Sequence, residues 1–104
     1  MDDFGLKSVD LDRIKEVFDQ FPQIEEVIIY GSRAKGNYRA ASDIDLTLLG
    51  KNIDLVLLNR LSSKLDDLLL PYLFDLSSYQ KLDNPELIDH IKRVGKSFYK
   101  LNKP

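Results

Sequence analysis

The segment Gly31-Ser32-Arg33-Ala34-Lys35-Gly36 follows directly on the apolar run Val27-Ile28-Ile29-Tyr30. A glycine at the end of a strand lets the backbone turn tightly and brings its N–H groups close to a phosphate. If Ser32 opens a short helix, the partial positive charge of the helix start falls at the same spot. A plain strand-to-helix turn uses the same residues. The two glycines bracketing four residues echo a P-loop, but Asn37 and Tyr38 stand where that motif needs lysine and a hydroxyl residue, which argues against one. Between Gly31 and Ser42 the charged residues are Arg33, Lys35 and Arg39, and no acid is among them. They form either a local positive patch for an anion or a solvated basic loop.

Acids follow at once. Asp43 and Asp45 are two residues apart in the alternating stretch Asp43 to Leu49, so both carboxylates project from one face and converge on one point. Carboxylates that close raise each other's pKa unless a cation sits between them. Hard oxygen ligands on a rigid strand suit Mg²⁺, which completes its shell with water and substrate phosphates. The plain alternative is a Ser42-Asp43 turn with Asp45 facing water. Asp75 discriminates between these readings. An acid in the middle of Tyr-Leu-Phe-Asp-Leu is expensive to bury without a charge partner, and a metal shared with Asp43 and Asp45 in a two-metal centre would supply one. An exposed acid on the open face of a small sheet satisfies the same pattern. His90, the only histidine, lies near an apolar helical stripe and reads as a packed or surface residue rather than a base. Tyr30, Tyr38, Tyr72 and Tyr79 are able to stack on a nucleobase, but sheet and core packing accounts for most of them.

The elements that position these residues are legible from periodicity. Leu11, Ile14, Val17, Phe18 and Phe21 recur at helical spacing until Pro22. Val27 to Tyr30 predicts a buried strand, Asp43 to Leu49 a second, and Tyr72 to Ser78 a third. A helix between Asp54 and Leu69 presents Leu58, Leu61, Leu65 and Leu68, and Pro71 closes it. Asn84-Pro85 has the form of a cap followed by a first-turn proline, opening a helix through Leu87, Ile88, Ile91 and Val94. Ser97 to Leu101 adds a short edge strand, and Asn102 to Pro104 is read as a frayed tail. This order predicts an α/β (α+β) fold, a small mixed β-sheet backed by helices.

Composition bounds the rest. With 104 residues, 43% of them hydrophobic, the chain suits one domain over 1–104. Its 15 basic and 17 acidic residues give no global reason to expect nucleic-acid binding. The absence of cysteine excludes disulfides, thiolate metal sites and cysteine nucleophiles. The acidic start Met1-Asp2-Asp3 is unlike a secretory signal and no apolar stretch is long enough for a membrane helix, so a cytoplasmic protein is expected.

Taken together, Gly31-Ser32-Arg33-Ala34-Lys35-Gly36, then Ser42-Asp43-Ile44-Asp45-Leu46, then Asp75 on a later strand resemble the DNA polymerase β-like nucleotidyltransferase superfamily. The resemblance runs from Val27 to Leu76 and is nearest to the minimal nucleotidyltransferase (MNT) antitoxins paired with HEPN toxins. Lys35 stands where many members carry arginine, which keeps the charge. The resemblance implies nucleotide binding by Gly31 and Ser32, with Arg33 and Lys35 beside them. It implies metal binding by Asp43, Asp45 and Asp75, with Asp75 near the acceptor hydroxyl. It further implies transfer of AMP from ATP, with Mg²⁺, to a tyrosine of a HEPN partner. Larger relatives carry additional acceptor-binding domains for which this chain has no room, which points the same way. Two alternatives remain: an antitoxin of this fold that neutralises by contact alone, and an enzyme acting on a small molecule such as an aminoglycoside.

Overall fold

A computed structural model describes residues 3–101, so the expected fraying of 102–104 lies outside the described residues. Helix α1 spans Ser8–Asp19 and buries Ile14, Val17 and Phe18. It starts three residues before its apolar stripe, and the chain leaves it at Gln20 so that Phe21 still reaches the core. Strand β1, Ile24–Tyr30, begins three residues earlier than its apolar run. The charged pair Glu25-Glu26 hides this start in the sequence, and Glu26 sits opposite Lys100 across the sheet, a favourable cross-strand pairing.

The chain then enters the five-residue helix α2, Gly31–Lys35, which ends at Gly36 in the left-handed conformation (φ 89°). Strand β2 is Ile44–Gly50. Helix α3, Leu55–Asp66, is capped by Asp54, whose carboxylate accepts from the Leu57 N–H at 2.9 Å. It buries Leu57, Leu61 and Leu65, and ends before the expected Leu69. Strand β3 covers Phe74–Ser78, and a 3₁₀ turn occupies Tyr79–Lys81. Helix α4, Pro85–Val94, starts as the Asn-Pro pair predicts: Asn84 accepts from the N–H groups of Glu86 and Leu87. Strand β4, Lys96–Lys100, closes the described chain as the expected edge strand.

The sheet order is β3-β2-β1-β4, with β1 antiparallel to both β2 and β4 and β2 parallel to β3. This is the mixed sheet backed by helices. Alternation divides its residues between two faces. Val27, Ile29, Ile44, Leu46 and Leu48 join Ile14, Phe18, Leu57, Leu61 and Leu65 in one apolar core. Complete burial of a side chain such as Phe18 stabilises by about 1.5–3 kcal/mol, so this face carries much of the fold. Ile28 and Tyr30 look the other way, toward α4: Gly95 at its end packs against Ile28, and the His90 ring meets the Tyr30 ring edge-on at 6.1 Å. This second face also carries Asp45 and Asp75.

Candidate active site

The site face follows from strand register. In the parallel pair, Asp45 lies directly beside Asp75, and on the other side of β2 Asp45 lies opposite Tyr30. Laterally paired residues share a face, so both carboxylates project over the sheet surface that α1 and α3 leave open. Asp43 precedes the first β2 residue by one position, so the expected strand start at Asp43 gives way to Ile44. Asp43 and Asp75 are exposed, whereas Asp45 is partly covered.

Electrostatics mark Asp45 as the strained member. Burial raises its pKa above the usual 3.8, the charges of Asp75 and then Asp43 push it further up, and His90 opposes them. Tyr30 shares this environment. Its phenol pKa is raised by burial, partly offset by the Ser77 hydroxyl and raised again by Asp75 and Asp45.

Gly31 is where the backbone meets this acidic face. It has φ 73°, a conformation that favours glycine, and a Cβ placed on it would collide with Asp45 Oδ2. The turn thus brings main chain directly against a candidate ligand. The Gly31 N–H donates to His90 Nε2 at 3.1 Å, which ties α4 to the start of α2. Tyr30, in the N-cap position of α2, supplies no side-chain cap. Ser32 is half-buried behind Gly31.

The basic residues separate. Arg33 is 1% exposed and turns inward. Its guanidinium donates to the carbonyls of Phe4 (2.9 Å), Ser42 (3.0 Å) and Ala40 (3.1 Å) and lies between the rings of Tyr38 (5.3 Å) and Tyr72 (5.1 Å). A planar fork with several fixed donors suits such a role, and a lysine does not replace it. Arg33 therefore clamps the loop between α2 and β2 onto the amino-terminal segment, and Tyr38 and Tyr72 serve it rather than an open stacking surface. Lys35, at the end of α2, and Arg39, in the loop after it, remain exposed as solvent-facing cations.

Sequence reasoning takes His90 for a packed or surface residue and misses its bond to the turn. Nothing local distinguishes it, because its partner Gly31 is 59 residues away.

Among the described residues, no three Asp, Glu or His side chains are grouped as a ready metal cage. The donor chemistry nevertheless fits a hard divalent cation. Asp45 and Asp75 are paired carboxylates, with Asp45 raised by burial and then by the charge of Asp75, and Mg²⁺ is ordinarily held by one or two carboxylates together with substrate phosphates.

Comparison with known proteins places the fold. Residues 12–104 match the family described as polymerase beta, nucleotidyltransferase. A search of curated proteins found no match. Among solved structures, the chain is similar to one from a toxin–antitoxin complex with AMP-PNP, at 22% identity and a TM-score of 0.70, covering 88% of this chain and 73% of that one. It is also similar to one from the complex of a tri-AMPylated Shewanella oneidensis HEPN toxin with its MNT antitoxin, at 19% identity and a TM-score of 0.66, covering 92% and 74%. A third likeness is to a candidate nucleotidyltransferase from Sulfolobus solfataricus, at 26% identity and a TM-score of 0.51, covering 86% and 76%. The family match extends over most of the chain and includes every element that builds the acidic face. This chain belongs to the polymerase β nucleotidyltransferase family.

Proposed function

We propose that this chain is an MNT-type antitoxin that transfers AMP from ATP to a hydroxyl of a HEPN toxin, the acceptor being a tyrosine. The observation that carries this reading is the convergence of Asp45, Asp75 and Gly31: two carboxylates in register on adjacent strands, with a backbone turn against one of them. Family membership supplies the reaction class, and the likeness to toxin–antitoxin structures, one with AMP-PNP and one with an AMPylated toxin, supports the partner and the nucleotide.

In this reading Asp43, Asp45 and Asp75 hold Mg²⁺, which supplies neutralisation of phosphate charge when bound. Ser32 offers its N–H and hydroxyl to the triphosphate, Gly31 permits the close approach, and Lys35 lends positive charge from the exposed end of α2. Arg33 contributes by fixing the loop's shape. The acceptor oxygen forms a bond to the α-phosphorus, the bond to the β-phosphate oxygen breaks, pyrophosphate leaves, and Asp75 takes the acceptor's proton. Positioning is the main contribution of the protein. Apolar side chains left exposed at the ends of α3 and before β3, Leu55, Val56, Leu69 and Leu73, are suited to contact with a partner.

The test is the intact mass of a purified HEPN partner after incubation with this chain, ATP and Mg²⁺. One or more added adenylyl groups are expected. Tight association with no added mass would remove the transferase role.

A further inference from the structure

We infer that His90 is a positioning residue for the Gly31 turn, acting through Nε2 as a hydrogen-bond acceptor; this deepens the nucleotide-binding reading above and rests on it. Gly31 lacks a side-chain cap from Tyr30, sits at φ 73°, and is the point where main chain abuts Asp45. Glycine reaches that conformation without strain and leaves it as readily, so the turn depends on its surroundings to hold it. The hold comes from α4. The His90 ring packs edge-on against Tyr30, the residue before Gly31, and its Nε2 accepts the Gly31 N–H. The acceptor in that bond is the lone pair of the ring nitrogen. Helix α4 is itself fixed to the sheet by Ile91, which is 3% exposed, and by Gly95 against Ile28. His90 thus transmits the rigidity of α4 to the turn and, through Gly31, supplies the wall beside Asp45. Ser32, the next residue, inherits its position from the same bond.

Two substitutions separate this role from packing. His90→Phe keeps a ring over Tyr30 and removes the acceptor, whereas His90→Gln places a carbonyl oxygen within reach of the same N–H. Hydrogen exchange of the Gly31 amide, read by NMR on the nucleotide-free chain, is expected to accelerate roughly fivefold or more in His90→Phe and to return toward wild type in His90→Gln, as expected for loss and recovery of one hydrogen bond. Affinity for AMP-PNP with Mg²⁺, measured by calorimetry, is expected to follow the same order, falling roughly fivefold to tenfold in His90→Phe. Exchange and affinity both unchanged in His90→Phe would reduce His90 to packing and overturn the inference. Tighter binding in His90→Phe would overturn it too, by showing that the imidazole competes with the nucleotide for the amide. Should the wild-type chain bind no nucleotide, the parent reading fails, and the exchange measurement still decides whether His90 holds the turn.

Discussion

Asp45 and Asp75 are direct neighbours across the parallel pair β2–β3, two carboxylates on one face with no basic residue in register beside them. Because Asp45 is both partly buried and facing Asp75 and Asp43, its pKa lies above 3.8 in the folded chain.

That shift has a sign. A carboxyl with a higher pKa folded than unfolded leaves stability untouched while both states are protonated. It lowers stability as pH rises past the unfolded value, because the unfolded chain ionises more readily. In EDTA, Asp45→Asn is expected to raise the thermal midpoint at neutral pH, and the gain should fade as pH falls toward 3.8 and be absent below it. A midpoint that drops at neutral pH would show that the Asp45 charge is compensated within the chain.

Gly31→Ala tests the close approach. The new methyl meets Asp45 Oδ2 in a backbone conformation that alanine disfavours. Destabilisation of about 1–3 kcal/mol is expected in urea unfolding, together with loss of AMP-PNP binding. Wild-type values for both would show that the turn has room for a side chain.

Arg33→Lys is expected to behave as a structural change. It removes the fork that holds the Phe4, Ala40 and Ser42 carbonyls, and stability should fall by about 2–4 kcal/mol in the same assay. Lys35→Ala, at an exposed position, should leave stability within about 0.5 kcal/mol. Equal stability of the two variants would contradict the assignment of Arg33 to the loop clamp.

On the far side of the molecule, Tyr99 donates to Asp19 at 2.7 Å, and burial, then Asp19, pushes its pKa up to about 12. The unfolded phenol ionises near 10.0, so this pair weakens the fold between that pH and about 12. Tyr99→Phe is expected to lose about 1 kcal/mol at neutral pH and to show a shallower decline above pH 10.0 than wild type. Parallel alkaline profiles would refute this account.

Short-range patterns of the sequence account for one part of this architecture. Asp45 on an alternating strand, the Asn84 cap and the leucine stripe of α3 follow from spacing alone, because neighbours along the chain decide them. The start of β1 at Ile24 is obscured by Glu25 and Glu26, whose charges are accommodated at the sheet surface and beside Lys100. The inward turn of Arg33 is not legible in the sequence, since its partners include Phe4 and Tyr72, far away along the chain. Neither is the role of His90, whose meeting with Gly31 depends on where α4 lands. The pairing of Asp45 with Asp75 needs both the parallel register and the length of the α3 crossover; spacing suggests the two acids, and only the sheet sets them side by side.

The most direct test of the central claim is co-expression of the proposed HEPN partner with wild-type chain and with the Asp43→Asn, Asp45→Asn double variant, followed by intact-mass measurement of that partner and assay of its toxicity. Transfer chemistry predicts an adenylylated, silent partner with wild type, and an unmodified, toxic one with a folded double variant. A double variant that still silences an unmodified partner would contradict the account and leave an antitoxin that works by contact alone.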